Sequence, residues 1–246
     1  MNEQGRLPKS GRGEQVGWGW TGLGQGEQGG CCVRYLCAMR HNLSDASALM
    51  RDRRSFAPED FSARKVQRDV VEEILRAGTW APTHGMTQPW RFTVFMDEGL
   101  DALRQGLPAW YEEAMSGKEV NAAKRDKLAR RMDTCNCVIG VGMVPDVNGR
   151  ISREDEEWAV ASAIQNMHLM CTAYGLGAKW TTPAFMKLPA VREAFALPAE
   201  GKVMGLFYVG YPAKAWPMSH RWPLEYITRW QTSAERVVAH ESRPKG

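Results

Sequence analysis

Arg53, Arg54 and Ser55 place two guanidinium forks and a hydroxyl within three consecutive positions. That set suits an oxyanion, because each fork can give charge-assisted hydrogen bonds to phosphate oxygens and the serine adds a further donor. Taken alone, a basic cluster is more often a solvated patch, so its weight depends on what accompanies it. Between Ala81 and Phe92 the stretch Ala-Pro-Thr-His-Gly-Met-Thr-Gln-Pro-Trp-Arg-Phe carries an imidazole, two hydroxyls and a carboxamide. Further on, Gly175-Leu176-Gly177 leads into Trp180-Thr181-Thr182. The chain has no Gly-x-Ser-x-Gly elbow, no Gly-x-x-x-x-Gly-Lys loop and no His-Glu-x-x-His helix, so neither a protein nucleophile nor a metal is indicated. Cations near hydroxyls, with small-residue turns beside tryptophan, suit a planar phosphorylated ligand that carries the reactive chemistry itself.

The elements around these residues are legible in their periods. Val70, Val71, Ile74, Leu75 and Ala77 recur at helix spacing behind Asp69, and Pro82 predicts an end near Trp80. Trp90, Phe92, Val94 and Met96 alternate with their neighbours and predict a strand up to Asp97-Glu98-Gly99. The polar loop is thus held at both ends by regular structure, a usual place for binding groups. Ser44 or Asp45 can cap a short helix that delivers the chain to Arg53. Leu100 to about Arg131 reads as helix with breaks at Pro108 and Gly117, and Cys135 to Val144 as a central strand, apolar on both faces. Glu154 to Tyr174 is the clearest helix, with Trp158, Ala161, Ile164, His168 and Cys171 on one stripe. Its apolar surface extends so far round that it is either central or shared between subunits. A short helix over about 189–195, a strand over 203–209, and a tail from Lys214 rich in aromatics complete the chain. The tail is expected to lie across another surface.

At 246 residues, with 43% hydrophobic and 24% charged residues, the chain reads as a folded domain large enough for a substantial core. The net charge of +4 falls short of a nucleic-acid-binding face, and the basic run from Lys124 to Arg131 reads as a solvated helix face. No leader or membrane-spanning run is visible, so a cytoplasmic location with reduced thiols is expected. Cys135 and Cys137 would share one face of a strand, and neither they nor Cys31-Cys32 has zinc-ligand spacing. Residues 1–45 are expected to be a disordered Gly-rich segment, with the folded domain over 46–246. The segment holds ten of the 24 glycines before Cys31, and its two Gly-x-Gly-x-x-Gly matches lack the strand and helix that give such a motif meaning. An alternative account places the natural start at Met39 or Met50.

Taken in order, Arg53-Arg54-Ser55, Ala81-Pro82 with Gln88-Pro89-Trp90-Arg91-Phe92, Gln165-Asn166-Met167, Gly175-Leu176-Gly177 into Trp180, and Tyr208-Val209-Gly210-Tyr211-Pro212 closely resemble the nitroreductase family over about residues 48–225. The resemblance implies an α+β fold, a mostly antiparallel sheet between helices, in a homodimer with an extended C-terminal tail and FMN at the subunit interface. It further implies NAD(P)H as co-substrate and a flat acceptor such as a nitroaromatic or quinone, with no nucleic-acid or membrane partner. By it, Arg53, Arg54 and Ser55 hold the FMN phosphate and ribityl chain, and Trp80 and His84 belong to a loop that approaches the cofactor. Trp180, Thr181 and Thr182 lie beside the isoalloxazine ring, and Arg221 reaches the phosphate. Alone, His84 would read as a hydrogen-bonded loop histidine and Trp180 as core. The chain departs from the family at Ala57, where many members have a cation, at Met86, where many have asparagine, and at Met218, where many have lysine. Those departures keep two alternatives open: a narrower flavin reaction, such as dehalogenation or reduction of an activated double bond, and a flavin-binding protein without turnover.

Overall fold

The computed structural model describes residues 41–234. The Gly-rich segment before residue 41, with Met39, lies outside the described residues, and a compact unit begins at Leu43. Helix α1 spans Leu43–Asp52, so Ser44 and Asp45 fall in its first turn rather than before it. Helix α2 follows over Arg68–Thr79, burying Val71, Ile74 and Gly78 and ending at Trp80 as the spacing predicts. Strand β1 is Trp90–Met96. Two helices then come in sequence, α3 over Gly99–Ala114 and α4 over Ala122–Thr134. Pro108 does not interrupt α3. The buried row Leu100, Leu103, Leu107 and Tyr111 holds the helix together on both sides of the missing N–H, and the break comes only near Gly117, whose φ is +78°.

Strand β2, Cys137–Met143, is buried along its whole length. Helix α5 spans Arg153–Ala173. Ser152 caps it by accepting the Asp155 N–H at 3.0 Å, with Glu154, Asp155 and Glu156 at the positive end of the helix dipole. At its far end the Leu176 N–H reaches back to the Cys171 carbonyl at 2.8 Å, and Gly175 turns left-handed at φ +68°. Strand β3, Gly177–Thr181, the short helix α6, Pro189–Ala194, and strand β4, Lys202–Gly210, complete the framework.

The sheet order is β1-β2-β4-β3 and every pairing is antiparallel. One face carries α2 and α5 over Val141, Phe207 and Val209. The other carries α3, α4 and α6 over Val138, Leu206 and Tyr208. This is the expected α+β class. Two local expectations are corrected. Cys135 and Cys137 belong to opposite cores, because Cys135 is the capping residue of α4 rather than part of the strand, and its thiol turns back to the Cys137 and Val209 carbonyls. Trp158 is 59% exposed, since the buried face of α5 is centred on Val160, Ala163, Ile164, Met167 and Cys171.

Candidate functional site

Arg53 follows the last turn of α1 and is half-buried. Burial, then Arg221, then Arg54 lower its pKa from the ordinary arginine value, and among the described residues it has neither ion pair nor hydrogen bond from its guanidinium. Arg54 is committed elsewhere, donating to the carbonyls of Pro217 and Arg53 at 2.9 Å each and to that of Arg51. It ties the tail to the end of α1, with help from Trp216, which meets Phe56 edge-on at 4.8 Å. Arg221, on that tail, donates to Ser219 Oγ at 2.6 Å and to the His220 carbonyl at 2.8 Å. None of the three guanidiniums touches a carboxylate among the described ion pairs. Like charges gathered without acid, one of them partly desolvated, make a place where an anion lowers the energy.

Ser55 is exposed and forms a parallel bridge with Ala178 of β3, fixed by the Phe56 N–H to the Ala178 carbonyl at 3.0 Å. The Arg53 corner is thereby attached to the edge strand that carries Trp180 and Thr181. The Trp180 indole donates to the Met204 carbonyl at 3.0 Å and lies over Gly205, where a Cβ would come within 2.4 Å of Nε1. Gly205 has φ +141°, so only glycine suits both its backbone and that approach. Trp180 lines an open cleft of about 750 Å³ with Thr182, Met204, Arg192 and Lys202.

Thr181 and Thr182 also line a cavity of about 340 Å³ with Tyr111, Lys127, Arg131 and Phe185. The basic run of α4 is therefore not a simple solvated face. Lys127 and Arg131, four apart, turn together toward this cavity beside buried Leu128. Glu59 pairs with both, at 3.6 Å and 3.0 Å, so burial's upward push on its carboxyl is outweighed by hydrogen bonds and cations and its pKa is lowered. Thr181 Oγ1 is buried at this cavity, and the Tyr208 hydroxyl is enclosed in the core close to Arg131 and Thr181. Burial pushes the Tyr208 pKa up, against the pull of neighbouring Arg131. Sequence reading missed Arg131 and Tyr208. The i, i+4 cationic spacing was visible, but what it faces is set by tertiary packing.

His84 is not with this group in the same chain. Trp80 is 82% exposed at the end of α2. His84 Nδ1 lies 3.4 Å from Asp155 Oδ2, in the first turn of α5, while His168, the α5 residue that feels Arg53, is thirteen positions further along, ~20 Å on the helix rise. The loop that carries His84 toward β1 is tightly held: the Gln88 N–H donates to Thr83 Oγ1 at 3.1 Å, and Gly85, Met86 and Gln88 are left-handed at φ +58°, +56° and +47°. For Met86 and Gln88 that conformation is strained.

Among the described residues no helix is long and apolar enough to cross a membrane, and no group of three or more His, Cys, Asp or Glu could hold a metal ion. Comparison with known proteins agrees with the architecture. The chain is 32% identical over 149 residues to "Putative NAD(P)H nitroreductase YdjA" of Escherichia coli K12, covering 58% of this chain and 76% of that protein. A nitroreductase-like family protein from Bacillus cereus has a similar structure, with a TM-score of 0.65 and 28% identity over 80% of this chain and all of that one. A "putative nitroreductase in complex with fmn" from Desulfovibrio desulfuricans gives 0.60 and 25%, over 78% of this chain and 98% of that one. The model of the nitroreductase family matches residues 50–211, well over half of the sequence, and the chain belongs to the nitroreductase family.

Proposed function

We propose that this protein is an FMN-dependent oxidoreductase that takes hydride from NAD(P)H and passes it to a flat acceptor such as a nitroaromatic or a quinone. The observation that carries the reading is the corner of Arg53, Arg54 and Arg221, none of them paired with a carboxylate among the described ion pairs, joined by Ser55 to the edge strand of Trp180 and Thr181. A phosphate dianion answers the mutual repulsion of that corner. From Ala178, the bridge partner of Ser55, to Thr181 is three residues, ~10 Å of strand, a span suited to a phosphate held at one end and a ring at the other. The unpaired Arg53 guanidinium beside the exposed Ser55 hydroxyl is the donor set that a phosphate monoester needs, so the residues fit FMN. Bound, FMN supplies the two-electron redox chemistry. Arg53, Arg221 and Ser55 would hold its phosphate, and Trp180, fixed over Gly205, would wall the ring. Arg131, in the neighbouring cavity and paired with Glu59 at 3.0 Å, would add positive charge on that side of β3.

A second copy of the chain completes this reading. His84, beside Asp155, stands a long way along α5 from His168 and the Arg53 corner, and Trp80, Trp158, Tyr174 and Trp230 are exposed. An isologous dimer covers such surfaces and carries one subunit's Trp80 and His84 toward the other's flavin. The cytoplasm is the matching compartment, a reading supported by three free buried cysteines, Cys135, Cys137 and Cys171.

The test is anaerobic NAD(P)H oxidation by the FMN-loaded protein against a panel of nitroaromatics, quinones, halogenated aromatics and activated alkenes. Broad turnover of flat acceptors is the expected result. A yellow protein that oxidises no NAD(P)H would overturn the enzymatic reading in favour of flavin binding alone, and turnover confined to one acceptor class would identify the narrower reaction.

A further inference from the structure

Two polar residues are buried in the described core, Glu156 and His168. Glu156 Oε1 accepts the Asp146 N–H at 2.9 Å, while its Oε2 is enclosed without a partner. His168 is not answered: its Nδ1 is enclosed without a hydrogen-bond partner, and its ring meets Phe207 edge to face at 4.8 Å and 90°. A hydrocarbon would fill that place in α5 without leaving a polar atom orphaned. The Arg53 corner is nearby: Phe207, against the His168 ring, is two positions along β4 from Val209, which pairs with Ala178, the bridge partner of Ser55. Burial first, and Arg53 second, lower its pKa to about 4.

Its other surroundings offer no competing charge of weight. On the next turn of α5 Cys171 is a thiol held protonated by burial, as is Cys137 of β2. From β4 comes uncharged Phe207. Helix α2 meets α5 through Gly78 against Met167 and the Ala77 carbonyl toward Asn166. Helix α1 brings Asp45 and Asp52 to a cleft beside Thr172, and Asp52 is paired with Arg51 at 3.4 Å.

We propose that His168 is a proton-coupled member of the anion site, neutral before a phosphate group binds beside Arg53 and protonated after it. The inference rests on the reading of the Arg53 corner as a phosphate site. A bound dianion offsets the repulsion from Arg53 and gives the imidazolium an opposite charge, while the proton comes from solvent. Burial, the larger cause, persists in the bound state, so the dianion raises the His168 midpoint by its charge alone and binding tightens as pH falls below neutrality. A histidine of merely structural role would leave proton uptake unchanged.

Calorimetric titration of the full-length, ligand-free chain at pH 6, in two buffers of different ionisation enthalpy, counts the protons. FMN and inorganic phosphate serve as separate probes, each with wild type and His168→Gln. Protonation of the ligand's own phosphate is common to both proteins and cancels in the difference. Wild type is expected to take up as much as one proton more per ligand bound than His168→Gln. Equal uptake by the two proteins would overturn the proposal. Proton-linked binding of inorganic phosphate without FMN binding would leave this inference standing and remove the FMN reading. Should His168→Gln fail to fold, NMR titration of the wild-type histidine ring decides: phosphate should move the His168 midpoint upward, and an unmoved midpoint would refute the coupling.

Discussion

Arg53 and Arg54 are adjacent in sequence and do different work. Arg54 is locked onto three carbonyls and fastens the tail at Pro217, whereas the Arg53 guanidinium faces only like charge. Arg53→Ala should therefore leave the fold intact and weaken FMN binding by roughly ten- to a hundredfold, the value of about 1.5–3 kcal/mol for a charge-assisted contact. Fluorescence titration at moderate salt measures it, and unchanged affinity would remove Arg53 from the site. His168 makes a second residue-scale prediction. Its folded-state pKa, about 4, lies below the ordinary 6.5. The stabilisation from keeping it neutral is therefore complete above pH 6.5 and is lost as pH falls from there toward 4, by about 3 kcal/mol. Thermal unfolding of the ligand-free chain over that window should show the loss, and His168→Gln should flatten it. The cationic cluster itself was legible because charge-assisted recognition needs particular side chains. The separation of roles between two neighbouring arginines was not, because it depends on a carbonyl 163 residues away.

Strand β3 is the element on which the site turns, and its period alone did not announce it. Five residues, Gly-Ala-Lys-Trp-Thr, give no clean alternation, and half of what fixes them lies elsewhere: the bridge to Ser55, the pairing to β4 and the glycine under Trp180. Strands β1 and β4 and helices α2 and α5 were readable within a residue or two, since long apolar periods identify an element before its partners are known. The direction in which the basic face of α4 points was not readable, nor was the exposure of Trp158. Gly205→Ala tests the support of β3. Its Cβ would meet Trp180 Nε1 at 2.4 Å and the Thr181 carbonyl at 2.6 Å, on a backbone no alanine favours. A loss of about 1–3 kcal/mol is expected, lowering the melting temperature by roughly 2–12 °C. Unchanged melting would show that the indole is not held against β4 as described.

At the scale of the molecule, the exposed aromatics and the division of the expected site residues along α5 lead to one expectation about association. A ligand that binds only the dimer stabilises it by mass action, so dilution should dissociate the FMN-free protein at a higher concentration than the FMN-bound protein. Sedimentation velocity on both forms reads this directly, and a monomer holding stoichiometric FMN and oxidising NAD(P)H would exclude a shared site. The fastening of Arg54 to Pro217 has a consequence for biosynthesis. Residues near the start of the fold are completed by residues near its end, so a chain emerging from the ribosome passes through most of its synthesis with the Arg53 corner open on one side. Helices α1 and α2 and the first strands can form beforehand, but no nascent chain shorter than about 217 residues can close that corner. On the proposed reading, phosphate capture would wait for the final stage of synthesis, and a truncated product would be expected to hold the ligand poorly.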